Sequence, residues 1–175
     1  MQPTSPASSA PFNARYFPLH LALLSCGENM MPIGNWTVIS KEPFRFLIAM
    51  QLGNYTLGLV RKYQEIALHF FPWSDRQRVV RAGYLSGSQV NKAQKIGFSL
   101  RPAEKLQHTK LVDGADVIFE TVVHSELPGL SREFGLFVLD VVYTHGNLNP
   151  TQRQPILYLS EKDFATLGER WQYLR

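Results

Sequence analysis

The sequence predicts a mainly β protein, an antiparallel barrel with short helices packed around it. Three observations lead there. Short apolar or alternating runs dominate the chain, as buried and half-buried strands do. No helical pattern exceeds about three turns. With 45% hydrophobic and 18% charged residues, the 175-residue chain can bury a sizeable core without metal or disulfide. A barrel is the economical arrangement of so many strands, because closure leaves no exposed edge.

The elements follow in chain order. Residues 1–14 are rich in Ser, Pro and Ala, carry no charge and read as a flexible arm, leaving 15–175 as a single domain. Strands are predicted over 19–25, 36–40, 45–50, 66–71, 116–124, 134–143 and 156–160, where Val, Ile and Phe are frequent. In the fifth run Val117, Phe119, Thr121 and Val123 alternate, in part, with Asp116, Ile118, Glu120 and Val122. Behind Gly53, either Asn54 or Thr56 can cap a helix. Ser74-Asp75 opens another that Gly83 can end, and Ser88 opens a third that Gly97 can end. Ser160-Glu161-Lys162-Asp163 reads as a short C-terminal turn.

Composition and absent motifs exclude several classes of function. Cys26 is the single cysteine, which removes a disulfide framework, a zinc ribbon and an iron–sulfur cluster. It ends an apolar run beside Gly27 and reads as a small hydrophobe rather than a catalytic thiol. His20, His69, His108, His124 and His145 lack ligand spacing and read as packed or surface histidines, so no metal site is expected. There is no Gly-x-Gly for a Rossmann turn. Gly53 and Gly58 have P-loop spacing, but Leu59 stands where lysine is needed, and Gly129-Leu130-Ser131-Arg132-Glu133 fails as a nucleophile elbow. No apolar stretch is long enough to span a membrane. Leu23-Leu24-Ser25-Cys26 imitates a lipoprotein cleavage site, but Pro18 and His20 interrupt the run and only Arg15 precedes it. Asn35-Trp36-Thr37 and Asn54-Tyr55-Thr56 match the glycosylation pattern without any secretion signal to give it meaning. The expectation is a soluble, cytoplasmic protein.

The net charge of +4 is unevenly spread. Residues 61–105 hold nine Lys/Arg against Glu65, Asp75 and Glu104. That segment is a candidate anion-facing surface, or an ordinary solvated one. Its aromatics, Tyr63, Phe70, Phe71, Trp73 and Tyr84, open a nucleic-acid-binding alternative. They fall largely on apolar runs, which favours core packing and no nucleic-acid partner. A second constellation is richer. The strand ending in Thr37-Val38-Ile39-Ser40 offers small hydroxyls and free backbone groups, and Gly53-Asn54-Tyr55-Thr56 precedes a helix. A helix start carries unpaired N–H groups and the positive dipole end, which suit a phosphate. The plainer reading is that Asn54-Tyr55-Thr56 merely caps the helix.

The order of run 19–25, Asn29-Met30-Met31-Pro32-Ile33-Gly34, run 37–40, Pro43-Phe44, Gly53-Asn54-Tyr55-Thr56, Leu85-Ser86-Gly87, Asn91-Lys92 and run 134–143 resembles the flavin reductase-like family. That family includes flavoredoxins and the small reductase components of two-component monooxygenases. The resemblance covers residues 18–145. It implies a six-stranded antiparallel split β-barrel of the FMN-binding type with short surrounding helices, working as a homodimer. It also implies that Thr37, Val38 and Ser40 face the isoalloxazine ring, that Asn54, Tyr55 and Thr56 hold the phosphate or ribityl chain, and that Ser86, Gly87 and Lys92 lie near the flavin. The implied activity is hydride transfer from NAD(P)H to FMN, with electrons passed to a monooxygenase, another redox partner or oxygen. No proton-transfer residue is named. Two positions depart from the family: only Pro43 stands where paired prolines are frequent, and Ser131-Arg132-Glu133 replaces a turn that often carries histidine. Arg132 is the candidate contact for the NAD(P)H pyrophosphate, unless it pairs with Glu133 or Glu126. The alternative function is a flavoredoxin-like electron carrier reduced by a partner protein.

Overall fold

The computed structural model describes residues 17–146, 153–160 and 162–168. The arm expected over 1–14 and Glu161 of the expected C-terminal turn lie outside them. The strands are β1 (Leu19–His20), β2 (Ala22–Cys26), β3 (Asn29–Ile33), β4 (Trp36–Lys41), β5 (Phe44–Gln51), β6 (Glu65–Phe70), β7 (Leu100–Arg101), β8 (Leu111–Val112), β9 (Val117–Glu126), β10 (Phe134–Gly146), β11 (Leu157–Ser160) and β12 (Asp163–Ala165). Helix α1 (Tyr55–Tyr63) joins β5 to β6, while α2 (Arg76–Arg81) and α3 (Lys92–Ile96) lie between β6 and β7.

The main sheet is antiparallel and runs β3-β2-β6-β9-β10-β5-β4. Its two edge strands, β3 and β4, are consecutive in sequence and separated only by Gly34 and Asn35. So short a link brings the edges within roughly 11 Å of each other, and the sheet must curl into a barrel. Among the described residues no ladder joins β3 to β4. The barrel is therefore split rather than closed, and it has seven strands where six are expected. The reason for the split lies on β3. The Met30 carbonyl accepts from Lys92 Nζ at 2.7 Å, so that side of the strand already has a partner. Pro32, two residues on, presents the same edge without an N–H.

Alternation inside the barrel is strict. Ala22, Leu24 and Cys26 of β2, Phe46, Ile48 and Met50 of β5, Ile66, Leu68 and Phe70 of β6, and Phe137 and Leu139 of β10 point inward, with Leu57 and Val60 of α1 plugging one end. Trp36, Phe44, Phe46, Phe70 and Phe119 pack there edge to face or tilted, with centroids 4.9–5.8 Å apart. β2 and β6 are buried on both faces: outside the barrel Leu23 of β2, with Leu21 and Met30, meets Val79, Ala82 and Ala93 of the helical layer, while Ala67 of β6 meets Leu106 and Leu111. β1, β11 and β12 form a separate three-stranded sheet.

Two local expectations change. Asn91 rather than Ser88 caps α3, its side chain accepting from Gln94 N at 3.0 Å, and Gly97 ends the helix at φ +84° as expected. Asp75 precedes α2 but makes no capping bond; it pairs with Arg78 at 2.9 Å instead. Lys162 lies in a turn, as expected there, and the chain enters β12 at Asp163.

Residues 102–110 have no regular structure and are held by two carboxylates. Glu65 accepts from the backbone N–H groups of Gln107, His108 and Thr109 at 2.8–3.1 Å. The fully buried Glu120 accepts from those of Glu104 and Lys105 at 2.9 and 2.7 Å, and meets His145 Nε2 at 2.6 Å. Burial alone would raise the Glu120 pKa, but these donors outweigh it and hold it below the usual carboxylate value.

His69 is wholly buried between β2 and β8. Val112 N donates to its Nε2, so Nδ1 carries the proton and donates to the Leu23 carbonyl, both at 2.9 Å. Burial lowers its pKa to about 4 from 6.5. Its folded pKa lies below the unfolded one, so this stabilisation is complete above pH 6.5 and is lost as pH falls toward 4. Urea unfolding should show stability falling by about 2 kcal/mol between pH 7.5 and 5 from this group, and His20, also lowered by burial, adds in the same direction. A flat profile over that window would show that His69 takes up its proton without unfolding.

Candidate functional site

The site forms where β5 gives way to α1. Asn54 has extended backbone angles (φ −68°, ψ 132°), and its Oδ1 accepts from Thr56 N at 2.9 Å, which starts the helix. No acidic side chain occupies the first turn, so the positive end of the α1 dipole is not neutralised locally. Thr56 is buried. Its hydroxyl accepts from Asn29 Nδ2 at 2.8 Å, leaving the hydroxyl hydrogen to donate elsewhere. The other amide atom, Asn29 Oδ1, is buried without a hydrogen-bond partner, an uncommon state for a polar atom.

The opposite wall comes from residues 83–92. Gly87 packs so closely on Asn29 that an added Cβ would sit 2.0 Å from Asn29 Oδ1 and 2.6 Å from its Cγ. Only glycine lets these two segments approach. Ser86 Oγ lies 2.8 Å from Ser88 Oγ. Lys92, the first residue of α3, is 6% exposed and donates to the carbonyls of Met30 and Ala82 at 2.7 and 2.9 Å. One ammonium hydrogen remains, and burial lowers the group's pKa. Lys92 is thus a buried strut rather than an exposed, salt-screened charge.

Between the walls lies a cavity of about 420 Å³ that Asn54, Tyr55, Thr56, Ser86, Gly87 and Lys92 all line. A second cavity, of about 640 Å³, shares Asn29, Tyr55, Gly87 and Lys92 and extends toward Tyr63 and His108. A helix start, a buried ammonium and hydroxyl donors in a concave site can hold a phosphorylated or otherwise anionic ligand.

Thr37, Val38 and Ser40 do not line this cavity. They lie on the exposed edge strand β4, where Ile39 is an extra residue between the Val38–Phe46 and Ser40–Arg45 pairs. β4 follows β3 after two residues, and Met31 and Pro32 of β3 do line the cavity. Arg132 is exposed in the β9–β10 turn. Glu126 is taken by Arg61 at 2.6 Å, and Arg132 has no ion-pair partner among the described residues. Backbone pairing of Leu52 N to Glu133 O at 2.8 Å sets that turn against the turn leading to Asn54.

The sequence-level reading missed Asn29, Met31 and Pro32 as lining residues, as well as Gly83, Tyr84 and Leu85. The available signal was Asn29-Met30-Met31, which places Asn29 and Met31 on one face of a strand. The basic segment 61–105 is partly neutralised: Arg61 pairs with Glu126, Arg78 with Asp75, and Arg101 with Asp113. Phe70 and Phe71 are core residues, and Tyr63 stacks on His108 with centroids 5.1 Å apart. Of the five aromatics in that segment, this leaves Trp73 and Tyr84 open to a stacking partner. Cys26 is buried, which pushes its thiol pKa up to about 12. No helix of the described residues is long and apolar enough to cross a membrane.

The chain is similar in fold to several solved structures. An FMN-binding protein from Thermus thermophilus with bound p-hydroxybenzaldehyde superposes with a TM-score of 0.84 at 19% identity, covering 99% of this chain and 100% of that one. Nitrilotriacetate monooxygenase component B from Bacillus cereus gives 0.83 at 15% identity, with 99% and 98% covered. The flavoredoxin of Desulfovibrio vulgaris (Miyazaki F) gives 0.81 at 13% identity, with 97% of each chain covered. No curated protein sequence matches. The family profile described as flavin reductase like domain matches residues 14–168, nearly the whole chain. The curled antiparallel sheet, its order and this match agree: the chain belongs to the flavin reductase-like domain family.

Proposed function

We propose that the protein binds FMN and acts as an NAD(P)H-dependent flavin reductase, as a cytoplasmic homodimer that hands electrons to a monooxygenase or another redox partner. The observation that carries this reading is the convergence, in one cavity, of the α1 start, the Gly87–Asn29 approach and the buried Lys92. The residues fit the group. The α1 N-terminus and the Thr56 hydroxyl suit its phosphate, and the partnerless Asn29 Oδ1 suits a ribityl hydroxyl. The edge strand with Thr37, Val38 and Ser40 offers backbone groups to the ring or to a second subunit. FMN supplies, when bound, a two-electron acceptor; the chain's share is to bind and orient it. Arg132, free of carboxylates, would contact the pyrophosphate of the hydride donor.

The test is the absorbance of the purified protein, followed by anaerobic addition of NADH or NADPH. A yellow protein that either nicotinamide bleaches within about seconds supports the reductase. Arg132→Ala should then raise the nicotinamide KM more than it lowers kcat, as loss of uniform binding does. The electron-carrier reading has one observation in its favour, the absence of histidine from Ser131-Arg132-Glu133. Bleaching by dithionite but by neither nicotinamide would establish it instead. Asn54→Ala and Thr56→Ala should each weaken FMN binding by about 1.5–3 kcal/mol, the worth of a hydrogen bond to a charged group. Flavin titration checks this, and unchanged affinity in both variants would move the phosphate elsewhere.

A further inference from the structure

A separate cavity of about 510 Å³ lies on the far side of Tyr84 from the site above, between α2 and the β11–β12 hairpin. Arg76, Val80 and Tyr84, with Gln77 and Arg81 beside them, form one helical face through α2 and the following 3-10 turn. The opposite face of this segment, Val79 and Ala82, is in the core, so this one is left open. Lys162, Asp163 and Phe164 close the other side. The lining therefore combines three cations and one carboxylate with the aromatic walls Trp73, Tyr84 and Phe164. Arg76 is already oriented: its guanidinium lies 4.6 Å from the Trp73 ring centroid, and Nη1 donates to the Trp73 carbonyl at 3.0 Å. Arg81 has no ion-pair partner among the described residues.

Aromatic faces beside unpaired guanidinium and ammonium groups suit a planar base carrying a phosphate. The cavity also adjoins the first site. Tyr84, 65% exposed, lines both, and a third cavity of about 410 Å³ shares Pro32 and Gly83 with one and Val80 and Phe164 with the other. We propose that this cavity binds the adenosine-phosphate end of the dinucleotide hydride donor, an inference that rests on the reductase reading above. Tyr84 stands between the base-binding cavity and the flavin cavity.

Calorimetric titration of the flavin-loaded protein with 5′-AMP, 2′,5′-ADP and benzoate tests this. Nucleotide should bind saturably, and the Arg81→Ala/Lys162→Ala double variant should bind it at least tenfold more weakly. The donor KM should rise at least tenfold in the same variant while FMN affinity stays unchanged. Three results overturn the proposal: no nucleotide binding by the wild type, binding that the variant retains or that FMN displaces, or binding of benzoate alone. Bleaching of the flavin by NAD(P)H at an unchanged KM in the variant would keep the reductase and remove this site. Arg81-dependent nucleotide binding without any bleaching would remove the hydride donor, and with it the proposal.

Discussion

The Glu65→Leu variant is expected to lose about 3–5 kcal/mol of stability, the range for breaking a buried charged network. Glu65 is 9% exposed and is the acceptor for three consecutive backbone N–H groups, those of Gln107, His108 and Thr109. Each stranded donor costs about 1–3 kcal/mol unless water reaches it. The segment they belong to has no ladder of its own to fall back on. Glu65→Gln keeps the shape and one acceptor oxygen but turns an amide N–H toward the donors, so it should cost less than leucine and more than nothing. Urea midpoints for the two variants check the order. A leucine variant within about 1 kcal/mol of wild type would mean that the packing of Leu106 and Leu111 holds the segment, not the carboxylate.

The second large effect concerns binding. Gly87→Ala should lower FMN affinity at least tenfold, or about 1.4 kcal/mol, while the protein stays folded by circular dichroism. The new Cβ would meet Asn29 Oδ1 at 2.0 Å, so the amide must move, and with it the 2.8 Å bond to the Thr56 hydroxyl. Thr56 sits in the first turn of α1, so the displacement reaches the proposed phosphate position directly. Asn29→Ala removes the obstacle as well as the amide. The double variant should therefore bind flavin no worse than Asn29→Ala alone, a non-additive cycle that a general loss of stability would not produce. Wild-type affinity in Gly87→Ala would separate this cavity from the flavin.

Much of the barrel was legible because strand signals are local. The short apolar runs of β2, β5, β6 and β10, and the partial period-two alternation of β9, mark strands without knowledge of any partner strand. Asn54 and Gly97 likewise announce helix ends by chemistry acting within one turn. β3 was missed as a strand because Pro32 argues against a ladder, and only its position on the sheet edge makes the proline acceptable.

The sequence by itself determined the strands of the main sheet other than β3, where α1 starts, and that Asn54, Tyr55 and Thr56 stand at a helix start suited to an anion. Family order added Ser86, Gly87 and Lys92. The tertiary structure decided the rest: that the barrel is split at β3, that Lys92 is a buried strut and not a surface charge, and that Asn29 is the hinge between the two walls. These depend on contacts between residues far apart in the chain, 27 positions for Asn29 with Thr56 and 62 for Lys92 with Met30. A side chain's local pattern records whether it is buried, but not which distant carbonyl or hydroxyl meets it there, because that partner is chosen by the packing of whole elements.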